Sequence, residues 1–173
     1  STASPGITAT ANNRQYDGTT VATGTLTPVL FAGDTLTATA AATFDTKHVG
    51  TGKTVTFGSI NLAGSAETLA NYSLPSSGHL TATADITPAP LSITGLAANS
   101  KQYDGTLTAT LNSSGASVSG VMAGDSISVN ASGATGTFAS MNVGNGIAVA
   151  VSNAANALTA GSGTVLGDYT LGS

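Results

Sequence analysis

The chain has 173 residues and a net charge of −4, and only 12 of its residues are Asp, Glu, Lys or Arg, where a soluble domain ordinarily carries about a quarter. Four basic residues, Arg14, Lys47, Lys53 and Lys101, make no positive stripe for phosphates, which argues against nucleic acid as a partner. Apolar runs of a few residues, against the roughly twenty of a spanning helix, argue against membrane insertion, and 40% hydrophobic content at this low charge argues against disorder.

The start, Ser1-Thr2-Ala3-Ser4-Pro5-Gly6, has neither the basic residues nor the apolar stretch of a leader, which suits an excised piece of something longer. Pro5-Gly6-Ile7-Thr8 opens the first segment. Arg14-Gln15-Tyr16-Asp17-Gly18-Thr19 follows, with Asp17-Gly18 as a turn, and Ala32-Gly33-Asp34 marks a second turn. Period-two alternation predicts half-buried strands over 35–39 and 55–60, divided by the Gly50-Thr51-Gly52 turn. A short helix is expected over 66–71, then Asn71-Tyr72-Ser73-Leu74, then an alternating strand over 79–86.

Asp85-Ile86-Thr87-Pro88-Ala89-Pro90 joins this half to the next, and two prolines predict a stiff junction and an elongated pair of domains. Most of the landmarks then return in order. Lys101-Gln102-Tyr103-Asp104-Gly105-Thr106 repeats the first hexapeptide 87 positions on, Ala123-Gly124-Asp125-Ser126 repeats Ala32 to Thr35 at 91, and Thr137-Phe138 repeats Thr43-Phe44 at 94. Asp168-Tyr169-Thr170-Leu171 repeats Asn71 to Leu74 at 97, so the second copy holds about ten extra loop residues. Strands are expected at 126–129 and 147–151, and a turn of helix at 153–158. Two homologous domains follow, residues 1–88 and 89–173, each a small antiparallel β domain of six to eight strands. The second stops two residues after Leu171 and is expected to lack a closing strand, leaving an open sheet edge.

The joint pattern of Lys or Arg-x-Tyr-Asp-Gly-Thr, Ala-Gly-Asp, Thr-Phe-x-x-x-x-Val-Gly (Asn142-Val143-Gly144 matching His48-Val49-Gly50) and Asn or Asp-Tyr-x-Leu resembles the YDG-type (MBG, β-grasp-like) repeats of bacterial surface adhesins and filamentous-haemagglutinin-type exoproteins. The resemblance implies an all-β fold with little helix, β-grasp-like or sandwich-like, in an extracellular stalk or adhesive module. The two copies differ at His48 against Asn142 and at Asn71 against Asp168. A composition in which Thr, Ala, Gly and Ser fill 100 positions agrees with an exported bacterial repeat.

Few residues suggest chemistry. Tyr16, Asp17 and Gly18, with Tyr103, Asp104 and Gly105, read as a tight turn whose carboxylate caps nearby amides and whose ring packs on the sheet. Tyr72 and Tyr169 read as anchors through their hydroxyls, as at the corner of a β-sandwich. All four tyrosines thus have structural roles, leaving none for a glycan platform. Asp34 and Asp125 could meet calcium, but without an Asp-x-Asp-x-Asp spacing they read as loop carboxylates bonding local amides. Asp45, Lys47 and His48 cluster without any nucleophile motif, and no cysteine is present. A Lys to Asn isopeptide bond is disfavoured because Lys101 is matched by Arg14, which cannot form one. No catalytic residue, metal or cofactor is expected. The reading is a structural spacer pair whose partners are neighbouring repeats, with a glycan or exopolysaccharide binder acting through loops 111–120 or 152–163 as the alternative.

Overall fold

The computed structural model describes residues 6–74 and 79–172; Pro5, expected to open the first copy, lies outside them. Strand makes up 47% of the chain and helix 9%, which is the all-β class expected. The chain divides into two compact units between Thr87 and Pro88.

The first unit contains β1 (Gly6–Ala11), β2 (Arg14–Gln15), β3 (Val21–Ala22), β4 (Gly24–Val29), β5 (Leu36–Thr39), β6 (Ala42–Phe44), β7 (Gly50–Phe57), β8 (Asn61–Gly64), α1 (Ala66–Ala70) and β9 (Leu80–Thr87). One sheet has the order β1-β4-β5-β8 and the other β2-β9-β7-β6-β3. Alternation sets the faces: Val55 and Phe57 of β7 are buried while Thr54 and Thr56 between them are exposed. Leu26 and Leu36 of the first sheet and Phe44, Val55, Phe57, Ala84 and Ile86 of the second form the core, each large side chain contributing about 1.5–3 kcal/mol by burial. The sheets approach closely at Gly24, where a Cβ would lie 2.2 Å from the Thr10 carbonyl oxygen and 2.7 Å from the Phe57 ring. β7 ends at Phe57, earlier than expected, because the Gly58 amide turns to the Ala41 carbonyl at 2.8 Å. Ser65 caps α1 by accepting from the Thr68 amide at 3.1 Å. With no residue buried, α1 contributes little to the core and serves to deliver Tyr72.

The second unit contains β10 (Ala89–Thr94), β11 (Ala97–Ala98), β12 (Thr108–Ala109), β13 (Leu111–Asn112), β14 (Ser117–Ser119), β15 (Ile127–Val129), β16 (Thr135–Phe138), β17 (Val149–Ser152), β18 (Leu158–Ala160) and β19 (Tyr169–Leu171). Its strands are shorter because breaks interrupt the pattern. The counterpart of β1 is split into β10 and β11 at Gly95, whose φ of 73° and close approach to the Gly115 carbonyl suit glycine alone. Residues 113–116 divide the counterpart of β4 into β13 and β14. The register of the hairpins is nonetheless shared: Phe44 faces Val55, and Phe138 faces Val149.

Three expectations need correction. Strand pairing is mostly antiparallel, but β2–β9 and β10–β19 are parallel, and the units have nine and ten short strands among the described residues. The segments 111–120 and 152–163 are not free loops. The first forms β13 and β14 around a turn closed by the Ala116 amide on the Ser113 carbonyl, and the second forms a 3-10 turn (Ala154–Ala157) and β18.

Candidate functional site

The repeated hexapeptide folds the same way twice. Gly18 and Gly105 have φ of 80° and 71°, a left-handed turn that glycine adopts without steric cost. The preceding aspartate then points back over the turn. Asp17 Oδ1 accepts from the Thr19 amide and hydroxyl, both at 2.9 Å, and Asp104 Oδ1 accepts from the Thr106 amide and hydroxyl, again at 2.9 Å.

The basic residue three positions earlier completes the turn. Arg14 pairs with Asp17 and donates to the Thr19 carbonyl, while its guanidinium lies 5.1 Å from the centre of the Phe44 ring. Lys101 repeats this with Asp104 at 2.8 Å, the Thr106 carbonyl at 2.9 Å and the Phe138 ring at 5.5 Å. Lys101 and the two Thr106 bonds hold the Asp104 carboxyl down to about 2. Burial pushes Asp17 upward, but the Thr19 bonds and Arg14 outweigh it, so this carboxyl also lies below its ordinary range.

A second constellation ties distant segments together. The Tyr72 hydroxyl donates to Asp34 Oδ2 at 2.7 Å and accepts from the Phe31 amide at 3.1 Å. The Tyr169 hydroxyl donates to Asp125 Oδ2 at 2.6 Å and accepts from the Met122 amide at 3.1 Å. Each aspartate sits in a turn closed by its own amide, Asp34 to the Phe31 carbonyl at 3.1 Å and Asp125 to the Met122 carbonyl at 3.0 Å. A tyrosine from the far end of its unit is therefore a partner of each carboxylate, a long-range bond added to the local ones that were expected. The Phe31 amide lowers the Tyr72 pKa, but Asp34, as acceptor and as negative charge, together with burial, prevails and places it above the usual tyrosine range.

The tyrosines of the hexapeptide differ. Tyr16 is 1% exposed and directly follows β2, its amide continuing the pairing with β9 by donating to the Thr87 carbonyl at 2.8 Å. Tyr103 is 66% exposed and does not pack on a sheet, contrary to expectation. It lines an open groove of about 420 Å³ with Lys101, Phe138, Met141, Ile147 and Val149. The cause is topological: β9 lies between β2 and β7 in the first unit, whereas β17, the counterpart of β7, pairs with β16 alone among the described residues.

The remaining candidates are placed as follows. Asp45 accepts from Lys53 at 2.8 Å and from the Thr46 amide at 2.7 Å, with Lys53 the principal cause of its lowered pKa. The Lys47 ammonium lies 5.9 Å from the centre of the Tyr16 ring. Among the described residues no group of three or more His, Asp or Glu side chains is gathered to hold a metal ion. Arg14, Lys101, Thr19, Thr106 and the rings of Phe44 and Phe138 complete the turn without belonging to the Tyr-Asp-Gly core of the motif. Their signal was present, since all six fall on matched positions of the two copies.

These observations define a duplicated β module whose shared residues build one turn and one long-range latch per copy. The YDG domain family matches residues 2–79 and again 87–173, and the chain belongs to that family. Searches of curated proteins and of solved structures gave no match.

Proposed function

We propose that the chain is a non-catalytic pair of structural repeats from a secreted or surface-anchored bacterial adhesin, serving as a stalk that supports adhesion or matrix attachment. The observation that carries this reading is the use made of the residues common to both copies. Asp17, Asp34, Tyr72, Asp104, Asp125 and Tyr169 all spend polar atoms on bonds inside their own unit, as parts of a scaffold do. The family membership and the resemblance to repeats of exported proteins supply the setting. Pulling the tethered chain by its ends is expected to give two discrete unfolding events, each releasing on the order of 300 Å of chain. A polysaccharide panel is expected to show no saturable binding.

One observation favours a second reading. An exposed tyrosine beside a groove is a surface on which a sugar ring can stack, and Tyr103 is such a residue. Saturable polysaccharide binding abolished by Tyr103→Ala would replace the stalk by a glycan-binding module.

A further inference from the structure

We propose that the groove of the second unit is the seat of a β-strand, and that its occupant is an extended polypeptide segment with the side-chain pattern of Leu80–Thr87. This inference stands independently of the stalk reading, since it concerns what covers Tyr103 and not what the repeats support.

The first unit shows the occupied form. There β9 runs antiparallel to β7, with Leu80 opposite Phe57, Ala82 opposite Val55 and Ala84 opposite Lys53, and parallel to β2, with Ile86 opposite Arg14. Ala84 and Ile86 are 4% and 2% exposed, and the pairing with β2 continues to Tyr16, whose amide donates to the Thr87 carbonyl and which is 1% exposed. The Gly52 amide donates to Asp85 Oδ1 at 2.7 Å, and the Asp85 amide donates to the Asn13 side chain at 2.7 Å.

The second unit keeps the walls of this seat. The hairpin register of Phe138 on Val149 and Thr137 on Ala150 reproduces Phe44 on Val55 and Thr43 on Thr56. Gly146, the counterpart of Gly52, has the same left-handed backbone, φ 65° against 59°. An amide is thereby placed to receive an aspartate of the occupant, as the Gly52 amide meets Asp85 in the first unit.

The rim is also more apolar than in the first unit. Met141 and Ile147 stand where the first copy has Lys47 and Lys53, and Met141, Val143 and Val151 are exposed. A paired edge satisfies the free amides and carbonyls of β17, and apolar residues of the incoming strand cover the rim. Transferring the register of β9 puts Leu80 of such a strand opposite Val151, Ala82 opposite Val149 and Ala84 opposite Ile147.

The test uses the 173-residue chain and a synthetic peptide of residues 79–87. Hydrogen exchange of the amides of 147–152 is expected to slow about tenfold or more on saturation, with the second unit melting at a higher temperature. Peptides carrying Asp85→Lys or Ile86→Asp are expected to lose this effect. The same peptide joined to the carboxyl end by a flexible linker raises its effective concentration to about the millimolar range and should protect the same amides without added ligand. Unchanged exchange in both the free and the joined arrangement overturns the proposal. Equal protection by the altered peptides reduces the groove to a non-specific apolar surface and also overturns it. Polysaccharide binding at Tyr103 tests the function separately, so the two can fail independently.

Discussion

The hydroxyl of Tyr72 joins the Asp34 carboxylate at 2.7 Å across 38 positions of sequence, and it accepts from the backbone amide of Phe31 at the same time. One phenol thereby ties a locally closed turn to the far end of its unit. Tyr169 and Asp125 repeat the arrangement at 2.6 Å. Tyr72→Phe removes donor and acceptor together and leaves both Asp34 and the Phe31 amide without this partner. The unfolding midpoint of the first unit is expected to fall by roughly 4–8 °C, with Tyr169→Phe doing the same to the second unit. Differential scanning calorimetry of the two variants checks this, and a midpoint unchanged in both would show the latch to be energetically idle.

The same bond has a pH signature. The folded-state pKa of Tyr72 lies above its ordinary value of 10.0, so its contribution is fully present below that pH and is lost as pH rises through the folded value. Asp104 behaves in the opposite sense. Its carboxyl is held at about 2, against an ordinary 3.8, so the stability it lends is present above 3.8 and disappears as the pH falls towards 2. Lys101→Met is expected to move the Asp104 titration, followed by carboxyl carbon NMR, back towards 3.8. A midpoint that stays near 2 would assign the shift to Thr106 alone.

Tyr16 and Tyr103 occupy matched positions in opposite environments, and their truncation should differ accordingly. Tyr16→Ala opens a cavity in the first core and is expected to cost about 3 kcal/mol or more, while Tyr103→Ala changes stability by no more than about 0.5 kcal/mol. Urea unfolding of the two variants measures the difference. Equal costs would mean that Tyr103 is covered in solution by something already in the chain.

Residue chemistry acting within a few positions was legible in the sequence. The Asp-Gly turns at 17–18 and 104–105 need only a short acceptor followed by a glycine, and the strands of Val55 and Phe57 or of 127–129 announce themselves by alternation. The duplication was legible for a related reason: two copies of one fold must repeat the residues that make it. Tertiary structure alone decided that Asp34 and Asp125 accept from tyrosines, because a carboxylate in a turn can accept from any donor that packing brings to it. It also decided the insertion of β9 between β2 and β7, parallel to the first and antiparallel to the second. Thr and Ala dominate these strands and offer little contrast between faces, so local sequence does not specify which edge a strand will join. The fate of Tyr16 and Tyr103 follows from that pairing: the tyrosine of the same Tyr-Asp-Gly is a core residue where a strand pairs beside it and lines a groove where none does.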